Sequence, residues 1–526
     1  MTPLDPDALP LARQRVDALR LWLQATEPEP VRLLETHISW VLLAGSEAYK
    51  LKKPLHLPFL DFSTLALRRH FCEEELRLNR RLAPQVYLGV VDVRESSNGP
   101  RFGGEGPVCD AAVRMRRFPD GALWSEMLAA GCLTAQHIDA IAKRLADFHR
   151  DAAIAPAGGT FGTAASHARV VRGLIDGIDA EPNAWCPPEW PAVRRWLLAQ
   201  QPVLAPVWAA RLRGGRVREC HGDLHLANVL QLDGQPAAFD GIEFDPALCW
   251  IDVQSDIAFL AMDLLANGAH ALAFRFMNAY LQASGDYDGL PALRYHLVCR
   301  AVVRGTVSAL AERQRAACAA PDCAAKYMAL ALALSNGADP RLGITHGLPG
   351  SGKSFVSQAM TEQAGAICVR SDVERKRFFG LSALESSRGR LTGGHAGSIY
   401  SQATTERTYE RLAEMARLAL AGGWPIVADA AFLRRSERAA FAALAAESLV
   451  PFSIFECRAE LTLLRHRLAQ RQASGNDPSE ADAAVLDQLT GADEPLDAGE
   501  RIHALIIDAA HGVQLSALAA RWLAAV

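Results

Sequence analysis

Nowhere in this chain of 526 residues do 18 consecutive apolar residues occur, so no membrane-spanning helix is expected. The most apolar stretch, DIAFLAMDLLANGAHALAF, carries Asp256, Asp263 and His270 and reads as a buried helix. A strong charge of one sign is also missing. The balance of 55 basic against 59 acidic residues leaves −4, which excludes a basic nucleic-acid coat and a polyacidic tail. No apolar signal-peptide core is seen, because Asp5, Asp7 and Asp17 interrupt the first residues. The cytoplasm is the expected location. The eleven cysteines are scattered and odd in number, unlike a secreted disulfide framework. Reduced, buried thiols are expected. Cys318 and Cys323 are the closest pair, but no second pair or histidine set makes them a metal site. Lysine is scarce, at seven residues, so a lysine at a fixed motif position is informative.

What is present predicts more than one domain, since a single domain holds roughly 100–200 residues. Half the residues are hydrophobic, enough for a sizeable core. The best boundary lies near residue 338. There the helical pattern AAKYMALALALS meets Asn336, Gly337, Ala338, Asp339 and Pro340, a cluster of turn residues. The parts are 1–337 and 338–526. In the first, ISWVLLAG (38–45) and EAYKLKK (47–53) predict two strands joined at Gly45 and Ser46. LRRHFCEEELRLNRRLA (67–83) predicts a helix ended by Pro84, and DAAVRMRRF (110–118) another strand. Most of 120–335 reads as helix, apart from a strand–loop–strand region at 218–245. A small sheet-bearing lobe followed by a larger helical lobe is the expected α+β arrangement. In the second part AICVRSD, WPIVADA and FSIFECR alternate with helices, predicting a parallel α/β sheet.

Gly347, Leu348, Pro349, Gly350, Ser351, Gly352, Lys353 and Ser354 fit G-x-x-x-x-G-K-[ST] at every fixed position. The apolar strand LGITHG precedes them, and FVSQAMTEQ, starting at Phe355, continues as a helix. Glycines let successive backbone N–H groups face one phosphate, and the helix presents its positive end to the same anion. Lys353 would reach the β- and γ-phosphates of ATP, and the Ser354 hydroxyl would ligate Mg²⁺. Asp429, ending the apolar strand PIVADA, would hold a Mg²⁺-bound water; an ordinary strand-end aspartate is the alternative. Arg465, Arg467 and Arg471 lie on a helix leading into a polar loop. Arg467 and Arg471 share a face, so they could close over a transferring phosphate or form a solvated basic face. The second part thus resembles the small P-loop kinases of the gluconate kinase, polynucleotide kinase and zeta-toxin type. That resemblance gives Asp372, which follows the next strand, the role of orienting or deprotonating an acceptor hydroxyl. A helix N-cap is the other reading.

A second constellation lies at 218–245. Asp223 and Asn228, within HGDLHLAN, are five residues apart, and Asp240 follows Asn228 by twelve. This is the spacing of a protein-kinase-like centre, H-x-D-x-x-x-x-N followed by a metal-binding aspartate. Asp223 would accept the acceptor's proton, and Asn228 and Asp240 would hold Mg²⁺. On EAYKLKK, Lys50 and Lys52 share a face by alternation. Glu73, Glu74 and Glu75 begin the next helix.

The loop HGDLHLAN resembles that of the aminoglycoside- and choline-type phosphotransferases, with FDGIEF in place of DFG. The resemblance selects Lys50 and Glu75 as the lysine–glutamate pair that aligns ATP phosphates. It makes Asp256 a buried brace of the catalytic loop. No G-x-G-x-x-G loop is present; only Gly45 sits at the hairpin. Met115 to Phe118 would border the adenine or pack in the core. Over nearly its full length the chain resembles bacterial two-domain proteins that join an aminoglycoside-phosphotransferase-like domain to a P-loop kinase. That implies two ATP sites, and no particular acceptor.

Three functions compete at this point. One is a kinase, with one or both sites phosphorylating a hydroxyl on a small molecule or nucleotide-like acceptor. The second is a regulatory module in which one kinase-like domain senses nucleotide or scaffolds the other. The third is a nucleic-acid end kinase, against which the net charge and the lack of an aromatic-basic groove argue.

Overall fold

The computed structural model describes residues 8–57, 60–180, 186–314, 323–387, 399, 401–474, 477–508 and 514–525. Packing divides the chain into two compact units. The first is Met1–Ile141, Phe148–Gly162 and Leu212–Leu260; the second is Ala142–Asp147, Thr163–Arg211 and Ala261–Val526. Among the described residues no helix is long and apolar enough to cross a membrane.

The first unit is built on a six-stranded antiparallel sheet. Its order is Arg32–Glu35, Ser39–Ala44, Glu47–Lys52, Val108–Arg116, Tyr87–Ser96, Gly99–Phe102. Alternation along the strands sends side chains to two faces. On one face Trp40, Leu42, Leu51 and Ala112 meet Ala12, Val16, Leu19 and Leu23 of the helix Ala8–Gln24. On the other, Ala48, Ala111 and Val113 pack with Cys72 of the helix Leu65–Asn79. The Thr64 hydroxyl caps that helix by accepting from Leu67 N–H at 3.2 Å. The helix is shorter at its C-terminal end than the sequence predicts. It stops at Asn79, and Leu82 and Ala83 donate to the Asn79 carbonyl in a turn. Pro84 disfavours helical backbone only at Ala83, and the earlier break is the turn closed on the Asn79 carbonyl.

In the second unit five parallel strands run in the order Ile367–Arg370, Ile426–Asp429, Leu342–His346, Phe452–Arg458, Ala504–Asp508. The last of these escapes the sequence reading. Gly343 sits in the central strand because an added Cβ would lie 2.6 Å from the Phe455 ring. The same unit includes the helices His270–Ser284 and Leu290–Gln314. Asn278 satisfies the sheet edge: its Oδ1 accepts from Cys368 N–H at 2.7 Å and its Nδ2 donates to Ala366 O at 3.0 Å. Arg294 donates to the carbonyls of Gly422 and Gly423, and Trp424 Nε1 donates to Leu290 O. Packing therefore continues across the turn residues at 336–340.

The nine cysteines whose side chains are described are free thiols. Cys72, Cys220, Cys249, Cys299, Cys368 and Cys457 are buried as expected, but Cys132 and Cys186 are exposed and Cys109 half-buried. Cys318 and the side chain of Cys323 lie outside the described residues.

Candidate active sites

In the first unit the loop 221–228 is fixed from behind by Asp256, which is wholly buried. Its Oδ2 accepts from His221 N–H at 3.1 Å and from the His149 ring at 3.0 Å, and its Oδ1 accepts from Gly222 N–H at 2.8 Å. Burial alone would raise this carboxyl; the hydrogen bond and charge of His149, with the Gly222 amide, outweigh it and hold the group at about 2. Gly222 has φ +85°, and a Cβ there would meet the Leu248 carbonyl oxygen at 2.7 Å. The His221 ring donates from Nε2 to Phe239 O and accepts from Asp223 N–H at Nδ1. That fixes a neutral tautomer, and burial lowers its pKa. The same contacts hold the loop to the segment after the strand Gln235–Ala238, whose Phe239 N–H donates to Asn228 O.

Within this frame the predicted groups converge. Asn228 Nδ2 donates to the Asp223 carboxylate at 3.1 Å and to its carbonyl at 2.9 Å. Asp240 takes a left-handed backbone, φ 60°, and its N–H donates to the Tyr87 hydroxyl. Lys50 is salt-bridged to Glu75 at 2.8 Å and pairs with Asp240. Burial pulls the Lys50 ammonium down, but the carboxylates of Asp240, Glu75 and Glu243 outweigh it, so its pKa is raised. Lys52 also reaches Glu75, at 2.8 Å, and pairs with Glu243, a residue the sequence reading passed over. Met115 is buried in the core, and Phe118 packs on Phe239 with ring centroids 5.3 Å apart.

In the second unit the phosphate loop joins the strand Leu342–His346 to the helix Lys353–Ala364. Gly347 has φ +143°, and a Cβ there would strike Cys457 O at 2.5 Å. Leu348 anchors the loop on Leu464, Leu468 and Leu486. A cavity of about 1170 Å³ opens over it, lined by Pro349, Gly350, Gly352, Lys353, Ser354, Phe355, Asp372, Asp429, Arg467 and Arg471 among others. Gly347, Leu348 and Ser351 support the loop from outside that lining. Lys353 donates to the carbonyls of Gly347 and Leu348. Burial lowers its pKa, and Asp429 offsets only part of this. Asp429 is itself raised by burial, against the pull of Arg370 and Lys353. Its Oδ2 is buried and accepts no hydrogen bond among the described residues, although Arg370 Nε lies 3.4 Å away. Arg370 Nη2 also donates to Ser354 Oγ at 3.2 Å.

Asp372 lies in the first turn of the helix Ser371–Arg377, and Arg370 occupies the N-cap position. Asp372 is therefore not the cap, and it lines the cavity. On the helix Leu461–Ser474, Arg467 donates to Gly350 O and Arg471 to Ala481 O, while Arg465 turns to Asp487 at 2.9 Å. Arg370, Arg375, Tyr409 and Arg434 line the same cavity. No spacing rule marked them, since a strand, two helices and the cap of a third bring them together.

An uncharacterized protein of Mycobacterium tuberculosis is 31% identical over 483 residues, covering 91% of this chain and 93% of the relative. The chain belongs to that protein's family. A family model described as "AAA domain" matches residues 342–496 of this family member. Similar solved structures include a choline/ethanolamine kinase family protein from Mesorhizobium loti (13% identity, 62% of this chain and 94% of that one, TM-score 0.37). Another is a gluconokinase from Sinorhizobium meliloti (19% identity, 35% and 92%, TM-score 0.25).

Proposed function

We propose that this protein is a bifunctional ATP-dependent phosphotransferase. One site belongs to 1–337 and the other to 338–526, and each passes the γ-phosphoryl group of ATP to a hydroxyl on a small-molecule or nucleotide-like acceptor. The convergence of Lys50, Glu75, Asp223, Asn228 and Asp240 in one unit, beside a complete phosphate loop in the other, carries the reading.

In the first site Asp223 takes the proton of the acceptor hydroxyl as the new O–P bond forms and the bond to ADP breaks. Lys50, fixed by Glu75, aligns the phosphates. In the second site Asp372 has the proton-accepting role. Lys353 and the loop amides hold the β- and γ-phosphates, and Arg467 and Arg471 offset the charge on the transferring group. The oxygen donors suit Mg²⁺. Asn228 and Asp240 would hold it in the first site. Ser354 and Asp429 would do so in the second, where Asp429 Oδ2 is buried and accepts no hydrogen bond among the described residues, with only the Arg370 ion pair at 3.4 Å. Bound there, the ion neutralises charge on the phosphates.

The test is transfer of labelled γ-phosphate to pooled metabolites by wild type, Asp223→Ala and Lys353→Ala. Each substitution should abolish a different labelled product. A single product lost only with Lys353→Ala would make the first unit a sensor or scaffold, and no product at all would overturn the reading.

A further inference from the structure

Two lysines, not one, meet Glu75, and they are not equivalent. Lys52, Glu75 and Glu243 are dry, with side chains 1%, 0% and 4% exposed. Lys50 is 12% exposed and Asp240 46%. The network thus has a closed end and an open end, and only Lys50 stands at the open one. The Glu75 carboxylate is divided between them: Oε1 faces Lys50 and Oε2 faces Lys52. Lys52 is further held by the Phe62 ring, whose centroid lies 4.9 Å from its ammonium.

We propose that Lys52 is a positioning residue for the first ATP site: by occupying Glu75 Oε2 it leaves Lys50 free to share itself between Glu75 and the ligand-facing Asp240. The inference rests on the reading of this site as an ATP site. Its physical reason is the cost of a buried oxygen anion without a partner. Without Lys52, the carboxylate of Glu75 must turn both oxygens to Lys50 or take up a proton. The first outcome draws Lys50 away from Asp240, and the second releases its anchor. Glu243 adds a third carboxylate at the closed end, paired with Lys52. With Lys50 and Lys52 against Glu75, Asp240 and Glu243, the network carries one net negative charge, which suits a site that receives a cation with ATP.

The full-length protein is treated with an acyl phosphate of ATP and Mg²⁺. This probe forms an amide with a lysine beside bound phosphates and releases ATP. The label at residues 50 and 52 is then read by mass spectrometry with and without excess ATP. Lys50 should be labelled and protected by ATP, with Lys52 labelled far less. Lys52→Met should reduce the Lys50 label about tenfold, the scale of one lost charged hydrogen bond. The double variant Lys52→Met/Glu243→Met removes both charges of the inner pair, so its melting temperature should return towards wild type while the label does not. If Lys52→Met labels Lys50 as wild type does, or the double variant restores the label, Lys52 merely balances Glu243 and the inference fails. If the wild type shows no ATP-protected label at Lys50, the ATP-site reading itself fails and takes the inference with it.

Discussion

Gly222 and Asp256 show how much of the first site rests on single residues. A Cβ at 222 would need a left-handed backbone and would meet Leu248 O at 2.7 Å. Gly222→Ala should therefore cost about 1–3 kcal/mol, measured by urea unfolding, and should abolish transfer from the first site alone. Asp256 makes a pH-dependent contribution. Its carboxyl sits at about 2, below the ordinary 3.8. A depressed carboxyl stabilises the fold above the unfolded value and loses that contribution as pH falls through the folded one. The stability gap between wild type and Asp256→Asn should therefore be largest above pH 3.8 and close towards pH 2, by on the order of 2 kcal/mol. A gap that stays constant over that range would refute the assignment. His221 runs in the same sense. Its pKa is lowered from 6.5, so protons taken up only by the unfolded chain weaken the fold as pH drops below that value.

At the scale of elements, the helix Leu461–Ser474 contains its own control. Arg467 and Arg471 line the cavity while Arg465 is turned to Asp487. Alanine at 467 or 471 should lower turnover at the second site by about a hundredfold or more, as loss of one group stabilising the transferring charge does. Alanine at 465 should leave it unchanged. Steady-state kinetics of the three variants decide this. The same element marks the limits of the sequence. Spacing sufficed to put Arg467 and Arg471 on one face, Lys50 and Lys52 on one face, and Asp223, Asn228 and Asp240 at one centre. Each of those relations is local, set by strand or helix period or by a short loop. Arg375, Tyr409 and Arg434 are brought to the cavity by separate elements, and His149 reaches Asp256 from 107 residues away. No period connects such residues. Glu243 had only its place three residues after Asp240 to mark it, and Ala504–Asp508 is an edge strand, half exposed, with no motif beside it.

At the scale of the molecule, the turn at 336–340 separates motifs in sequence while the packing runs through it. A fragment of residues 338–526 would lose the Asn278 bonds to Ala366 and Cys368 and the Arg294 bonds to Gly422 and Gly423. It would also uncover Gly365, against which Phe274 packs. An exposed strand edge of this kind invites association. The fragment should aggregate when expressed, and one beginning at residue 261 should be more soluble, as size-exclusion chromatography would show. Comparable monomeric behaviour of both fragments would contradict the prediction.

Asn278 thus has a bearing on inheritance. A lineage that no longer needed the chemistry of Asp223 could lose that aspartate by a single codon change. It could not delete the coding region for residues 261–336, because the other half's outermost strand takes its partner from there. Two segments joined in this way share one transcript and one copy number, and a segment whose own site falls silent survives as part of its neighbour's fold.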